Sequence, residues 1–340
     1  MRPTVHDIAR EAEVSLATVD RVLNKRPGVR AVTVARVEKA IADLGYVRDI
    51  AAANLAKQKV YELTFILPDG PNTFMRGLEQ KLEAMKPQLA LERTRVEIIK
   101  VPAFDAAALA ATLNNLDREN LSGVALVATD APDVRAALAR LTEDKVPVVT
   151  LVSDIPEAQR DHYVGIDNVA AGRSAASLLG RFVGQRSGKI MLVAGSLLVR
   201  DHVERRQGFL EVMQASFPSL ECLPVLEGHD DAELTRRLVA DSLVRENDVV
   251  GLYNIGAGNR GVIAALVDSG KAKNLSVIAH ELSDHTRQAL RDGVFDAIIN
   301  QDAGSELRTA ISLLRAQADN ISPPQTGRIQ IEIYIRDNLP

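Results

Sequence analysis

Apolar residues recur along this chain at two different spacings, and the change falls near Tyr61. Before it the spacing is helical. Val5, Ile8, Ala9 and Ala12 form one apolar face, opened by Thr4 and Asp7 in a capping arrangement. After a break at Glu13-Val14-Ser15, Leu16, Val19, Val22 and Leu23 repeat the spacing, with Ser15 as N-cap. The turn formers of residues 24–28 end this helix. A third is predicted over about 32–44, stopped by Gly45 in the manner of a left-handed C-cap. Two short helices joined by a tight turn make a helix-turn-helix pattern.

Beyond Tyr61, short apolar runs alternate with amphipathic stretches. The runs are 62–67 (ELTFIL), 95–101 (RVEIIKV), 123–128 (GVALVA), 146–152 (VPVVTLV), 162–166 (HYVGI), 189–194 (KIMLVA), 249–255 (VVGLYNI), 275–280 (LSVIAH), 296–301 (DAIINQ) and 329–335 (IQIEIYI). Helical patterns such as 106–116, 132–141, 170–183, 203–216 and 260–269 lie between them. Strand-helix alternation predicts parallel sheets covered by helices, and ten strands suggest two sheets. The Ala-rich link 49–60, with Lys57 and Lys59, reads as a flexible tether.

Composition narrows the class. Hydrophobic residues make up 46% and charged residues 25%, as in a globular protein. No run approaches the roughly 18 apolar residues of a membrane span. The first residues carry charges where a signal peptide needs an apolar segment, so a cytoplasmic location is expected. Cys222 is the only cysteine, which excludes an intramolecular disulfide and a Cys-rich zinc site. The net charge of −4 hides an asymmetry: residues 1–60 hold 11 Lys/Arg against 7 Asp/Glu, leaving +4 there and −8 on the rest. A basic head on an acidic body suits phosphate contact.

Residues 3–59 resemble the head of the LacI/GalR (lactose-repressor) family. The matching positions are Val5, Asp7, Ile8, Ala9, Val14-Ser15, Ala17-Thr18-Val19, Arg21-Val22-Leu23-Asn24, Val29, Thr33, Arg36-Val37, Ala40-Ile41, Leu44-Gly45-Tyr46, Ala52 and Leu55. The remainder is similar to that family's sensor, a fold shared with periplasmic sugar-binding proteins. The segments are 146–156 (VPVVTLVSDIP), 163–173 (YVGIDNVAAGR), Arg205-Arg206-Gln207-Gly208-Phe209, 289–301 (ALRDGVFDAIINQ) and 333–340 (IYIRDNLP).

The resemblance implies an all-α helix-turn-helix head over 1–48, a hinge over 49–60 and a two-lobed α/β core of the type I periplasmic-binding-protein kind over 61–340. Lobe 1 would take about 61–162 and 300–324, and lobe 2 about 163–299 and 325–340. It further implies a homodimeric transcriptional regulator, a repressor, whose second helix enters the major groove of operator DNA. The implied DNA contacts are Thr4, Ser15, Leu16, Ala17, Thr18, Arg21, Asn24 and Leu55. Arg21 is able to grip guanine O6 and N7 bidentately, whereas Leu16 and Ala17 sense only thymine methyls or shape. The plainer readings are core packing for Leu16 and a solvated charge for Arg21. In the hinge, residues 50–56 would form a helix on DNA with Leu55 as a minor-groove wedge, or Leu55 would pack on its dimer mate. The chain ends without a heptad repeat, which favours a dimer over a tetramer.

Four positions depart from the family pattern. Asp20 stands beside the phosphates and repels them unless a neighbour neutralises it. Glu13 replaces a turn glycine, at a cost on the order of 1 kcal/mol. Arg30 replaces a capping serine, a loss of about 1 kcal/mol. Arg48 replaces a proline.

In sensors of this fold, ligand groups sit at the carboxyl ends of strands between the lobes. Those positions hold Asp69, Asn72, Phe74, Asp130 and Asp154 in the first lobe, and Asp201, Arg205, Asn254 and Glu281 in the second, with Gln301 near the crossover. The implied effector is a sugar, polyol or sugar acid, and because the chain has no Trp its ring faces are left to Phe or Tyr. A rival reading attaches to Gly256-Ala257-Gly258-Asn259-Arg260-Gly261, a G-x-G-x-x-G between strand and helix with Glu281 beyond it. That pattern fits an NAD-dependent oxidoreductase. Against it, a fingerprint normally opens its domain, and only about three strands follow here. His6, His162, His202, His229, His280 and His285 show no metal-ligand spacing, and there is no nucleophile elbow or P-loop. No cofactor, metal or catalysis is expected, and a purely periplasmic binder does not suit the basic head.

Overall fold

The computed structural model describes residues 3–23, 26–46, 59–155, 160–323 and 328–340. The chain divides into two compact units, Met1–Lys59 and Val60–Pro340. Three helices make the first: α1 (Val5–Glu11), α2 (Leu16–Leu23) and α3 (Ala31–Leu44). Their inward faces meet in a core of Ile8, Ala12, Val19, Val37 and Ala40. Thr4 and Asp7 close a capping box on α1, Thr4 N–H donating to Asp7 Oδ2 at 2.9 Å. Ser15 Oγ accepts from Thr18 N at 3.2 Å at the start of α2, and Gly45 ends α3 at φ +60°. Two of the substituted positions show their consequences here, and Arg48 lies outside the described residues. Glu13 is held at φ +50°, and Arg30 caps α3 with no side-chain hydrogen bond.

The second unit holds two sheets, each between helical layers. The first contains β1 (Tyr61–Asp69), β2 (Thr94–Pro102), β3 (Gly123–Leu126), β4 (Val148–Leu151) and β5 (His162–Val164) in the order β2-β1-β3-β4-β5, all parallel. Its helices are α4 (Thr73–Leu91), α5 (Ala106–Asn114) and α6 (Pro132–Glu143). Successive β1 side chains go to opposite faces: Phe65 and Leu67 join one apolar layer and Ile66 the other.

The chain then crosses to the second lobe through residues 165–167. There it builds α7 (Asn168–Val183), β6 (Gly188–Ala194), α8 (Arg200–Ser216), β7 (Leu220–Glu227), α9 (Ala232–Arg245), β8 (Val249–Asn254), α10 (Asn259–Asp268), β9 (Ser276–His280), α11 (Asp284–Arg291) and β10 (Ala297–Asn300). It crosses back at residues 301–302 into α12 (Ala303–Ala318), whose Leu307, Ala310 and Leu314 pack into the first lobe. A last strand, β11 (Glu332–Tyr334), returns to the second sheet, ordered β11-β10-β9-β8-β6-β7.

Two features differ from the alternation of apolar runs. β7 is an eleventh strand in a stretch that carries Glu221 and Pro224, on the open edge of its sheet, where proline is tolerated. β11 runs antiparallel to β10, so the second sheet is mixed rather than wholly parallel.

Candidate functional site

Two surfaces carry candidate chemistry. In the first unit, Val19 turns fully inward while Leu16, Ala17 and Arg21 stay on the exposed side of α2. Leu16 is 43% exposed, so core packing does not account for it. Asp20 on the same side lies 3.3 Å from the Arg26 guanidinium, the neighbour that neutralises it. Thr4, Ser15 and Thr18 are at helix starts, engaged in the capping bonds described above. Asn24, Leu55 and nearly all of the hinge lie outside the described residues.

In the second unit, the strand ends of both lobes face each other across a cleft. Six of the ten sequence-marked residues line it: Asn72, Phe74, Asp201, Arg205, Glu281 and Gln301. The other four are placed elsewhere, three of them by a single step along the chain. Pro68 lines the cleft while Asp69 turns out to Lys100, at 3.3 Å. Thr129 lines it while Asp130 accepts from Arg135 Nε at 2.7 Å. Ser153 lines it while Asp154 pairs with Arg160 and accepts from Thr150 Oγ1 at 2.7 Å. Asn254 is wholly buried and braces the following turn, its Nδ2 donating to Asn259 Oδ1 at 2.7 Å.

Arg205 is the centre of the cleft floor. It is only 2% exposed. Its Nε donates to Asn168 Oδ1 at 2.9 Å and its Nη1 to Ile255 O at 3.0 Å. Nη2 has no hydrogen-bond partner and lies 3.8 Å from Asp201 Oδ2. Around it, Gln301 Nε2 donates to Glu281 Oε1 at 2.8 Å, leaving Gln301 Oε1 and Glu281 Oε2 buried and unpartnered. Burial pushes the Glu281 carboxyl up to about 7, against the pull of Arg205. His202 is fixed by a 2.7 Å hydrogen bond between Nδ1 and Ser196 O.

Asp230 completes the set and was not marked by the sequence, because it follows the edge strand β7 that the apolar pattern passes over. Its Oδ2 accepts from Asn72 Nδ2 at 2.8 Å across the two lobes, and its Oδ1 is buried without a partner. Burial raises its pKa. Beneath, Glu306 is fully enclosed with neither oxygen hydrogen-bonded; burial first, then the Glu281 charge, hold it well above the usual carboxylate range. The apolar wall is formed by Phe74, Met75, Phe104, Val152 and Val199. Val152 and Glu281 both line the cleft at positive φ, +62° and +72°. A β-branched residue there is a true outlier, and such strain, of order 1–3 kcal/mol, gathers at functional sites.

Four unpartnered buried atoms thus converge on one cleft: a donor on Arg205 and acceptors on Asp230, Glu281 and Gln301. The cleft fits a hydroxyl-rich molecule with one face against Phe74 and Phe104. Residues 63–322 match the periplasmic binding protein domain family, and residues 4–49 match the lacI family of bacterial regulatory proteins. The chain belongs to the periplasmic binding protein domain family and carries a lacI-family head.

Catabolite control protein A of Staphylococcus aureus (strain MRSA252) is 26% identical over 213 residues, 63% of this chain and 62% of that protein. The match thus spans about three-fifths of that relative's length. HTH-type transcriptional regulator DegA of Bacillus subtilis is 25% identical over 273 residues, covering 77% of this chain and 78% of DegA. Among solved structures, GanP, a glucose-galactose binding protein from Geobacillus stearothermophilus, aligns with TM-score 0.75 at 18% identity, covering 83% of this chain and 99% of its own. A solute-binding protein from Burkholderia graminis, in complex with D-arabinose, aligns with TM-score 0.76 at 19% identity, covering 82% and 96%. These structures show the same fold.

The glycine-rich turn takes its place within this periplasmic-binding-protein fold. A Cβ on Gly256 would stand 2.2 Å from His202 Nε2, and one on Gly261 2.2 Å from Ala232 O. Close packing onto α8 and α9 accounts for these two glycines, and no comparison supports the oxidoreductase alternative.

Proposed function

We propose that this chain is a sequence-specific DNA-binding transcriptional regulator whose affinity for operator DNA changes when a small polyhydroxylated ligand occupies the interlobe cleft. One observation carries the reading: a lacI-family head and a sugar-binder fold whose cleft presents four unsatisfied buried polar atoms occur in one chain. The named relatives are a catabolite control protein and an HTH-type transcriptional regulator, and the aligned structures include a glucose-galactose binder and a D-arabinose complex.

In this reading α2 lies in the major groove with Arg21 reading a base edge, and the chain acts as a cytoplasmic homodimer on a two-fold symmetric site. The cleft residues are Asn72, Phe74, Asp201, Arg205, Asp230, Glu281 and Gln301. The ligand favours one arrangement of the lobes over the other, and this difference in affinity is the whole energy available to shift DNA binding. Relief of repression by ligand is the sign we assign. Catalysis has no part in it.

The test has two stages. The full chain is used to select binding sites from random duplex DNA, with enrichment of a symmetric sequence expected. Sugars, polyols and sugar acids are then screened by thermal shift, and those that bind are titrated into the operator complex. A ligand at 100 times its dissociation constant should add about 2.7 kcal/mol to stability. Failure to enrich any sequence would remove the regulator reading, and ligand binding that leaves operator affinity unchanged would remove the coupling.

A further inference from the structure

The cleft continues outward into a second chamber that shares Asn72, Phe74, Asp230, Ala257 and Glu281 with the inner one. The two chambers differ in charge. Inside, three carboxylates, Asp201, Asp230 and Glu281, surround the single guanidinium of Arg205. At the mouth stand two further arginines, Arg76 from α4 of the first lobe and Arg260 from α10 of the second. Neither makes an ion pair or side-chain hydrogen bond among the described residues, whereas many surface arginines of this unit are paired. Ser283 and His285 line the same chamber, with Ser283 Oγ 3.0 Å from His285 Nδ1. The first turn of α10 also opens there, with Gly258 as N-cap at φ +89° and no side chain capping the helix. Burial, then the charges of Arg260 and Arg76, hold the His285 imidazole down at about 4, against Asp284. Both guanidinium groups therefore act on one small region.

We propose that the outer chamber is an anion subsite, so that the ligand is a small sugar bearing one terminal anionic group, its hydroxyls on the inner polar atoms and its phosphate monoester or carboxylate between Arg76 and Arg260. This rests on the reading of the cleft as the effector site and goes beyond it by fixing the charge and polarity of the ligand. The inner chamber is unsuited to the anionic end, because it adds Asp201 to the two shared carboxylates and its one guanidinium, Arg205, already faces Asp201. The outer chamber sets the guanidinium groups of Arg76 and Arg260 against neutral Ser283 and His285, while Asp230 and Glu281 lie where it joins the inner one. Planar guanidinium groups give bidentate, charge-assisted contacts to phosphate or carboxylate. Because the two arginines come from opposite lobes, the same anion would draw the lobes together.

The experiment uses the full chain and simple anions as probes. Thermal midpoints are measured in chloride, inorganic phosphate and acetate at equal ionic strength, for wild type, Arg76→Gln, Arg260→Gln and the double variant. Both side chains are exposed, so the variants should keep the unliganded midpoint of the wild type. Phosphate at ten times its dissociation constant should raise the wild-type midpoint by roughly 2–4 °C over chloride. Each single variant should lose most of that shift, and the double variant all of it. A response to phosphate alone assigns a phosphate ester as the terminal group; an equal response to acetate assigns a carboxylate. No shift in the wild type, or a shift retained in the double variant, overturns the subsite. Neither result depends on DNA, so failure of the regulator reading would appear separately, in the operator titration.

Discussion

At Glu281 a carboxylate is buried, left-handed in its backbone and satisfied on one oxygen only. Its pKa, raised by burial from 4.5 to about 7, has a consequence for stability. The folded chain holds this proton more tightly than the unfolded chain does. The group's contribution is therefore most favourable below pH 4.5 and is lost as pH rises through about 7. Glu281→Gln removes the titration and keeps the shape. The variant should gain on the order of 1–3 kcal/mol relative to wild type between pH 5 and pH 8, read as the difference in thermal midpoints without ligand. It should also bind ligand more weakly, having lost an acceptor. Parallel midpoint curves would show that Glu281 does not titrate in this window. On the head, the Arg21 side chain is exposed and makes no ion pair or side-chain hydrogen bond among the described residues. Arg21→Ala should cost about 1–3 kcal/mol on the selected operator and relax the preference at one base pair. Equal weakening on all sequences would assign it to phosphate instead.

Elements decide which strand-end residues reach the cleft, and here the sequence was only partly legible. Apolar runs located ten strands, because a parallel strand buried on both faces is apolar almost throughout. They passed over β7, whose edge position lets polar residues and Pro224 into it. Asp230 was lost with it. Likewise the strand ends were found but not which way their side chains turn. Side chains alternate along β1, so one step exchanges Pro68 for Asp69; beyond the ends of β3 and β4, the turns present Thr129 and Ser153 to the cleft rather than Asp130 and Asp154. A polar residue beside a basic one, such as Asp69 near Lys100, is drawn into a local pair that sequence does not display.

Arg205, by contrast, was placed in the cleft by its motif, and two closely packed helices set its position. A Cβ on Gly172 of α7 would stand 1.9 Å from Arg205 O, and one on Gly208 of α8 2.0 Å from Val169 O, so the helices cross at backbone contact. Gly172→Ala should therefore cost about 1–3 kcal/mol and shift Arg205, weakening ligand binding. An unaltered midpoint and affinity would mean that the helices part without consequence. The same region holds a chain of hydrogen bonds from Arg205 Nε to Asn168 Oδ1 at 2.9 Å and from Asn168 Nδ2 to Tyr163 Oη at 3.1 Å. Tyr163 Oη in turn reaches Val152 O at 3.0 Å in the first lobe and Ile166 O at 3.1 Å within the crossover between lobes. Tyr163→Phe should leave ligand affinity within about threefold while reducing the effect of ligand on DNA binding, a coupling typically of 1–3 kcal/mol. Full coupling in that variant would remove the crossover from the pathway.

At the scale of the whole molecule, the division between Lys59 and Val60 separates two bodies with independent apolar cores. None of the residues in the core clusters of 60–340 comes from the first unit. A chain beginning at Val60 therefore retains every sheet, both helical layers of each lobe and the complete cleft. It should fold with a single cooperative transition, or with one per lobe, and bind the same ligands as the full chain with affinities within about threefold, since every cleft residue named above comes from 60–340. It should show no preference for the selected operator over random duplex, because Leu16, Ala17 and Arg21 have gone with the head. Its residual DNA binding should be weak, since that salt-sensitive term needs Lys and Arg at phosphates and residues 61–340 carry a net −8. The measurements are ligand titration by calorimetry and operator binding at two salt concentrations, on the truncated and full chains side by side. Sequence-specific binding by the truncated chain would place DNA recognition outside the helix-turn-helix, and loss of ligand binding would show that the head takes part in building the cleft.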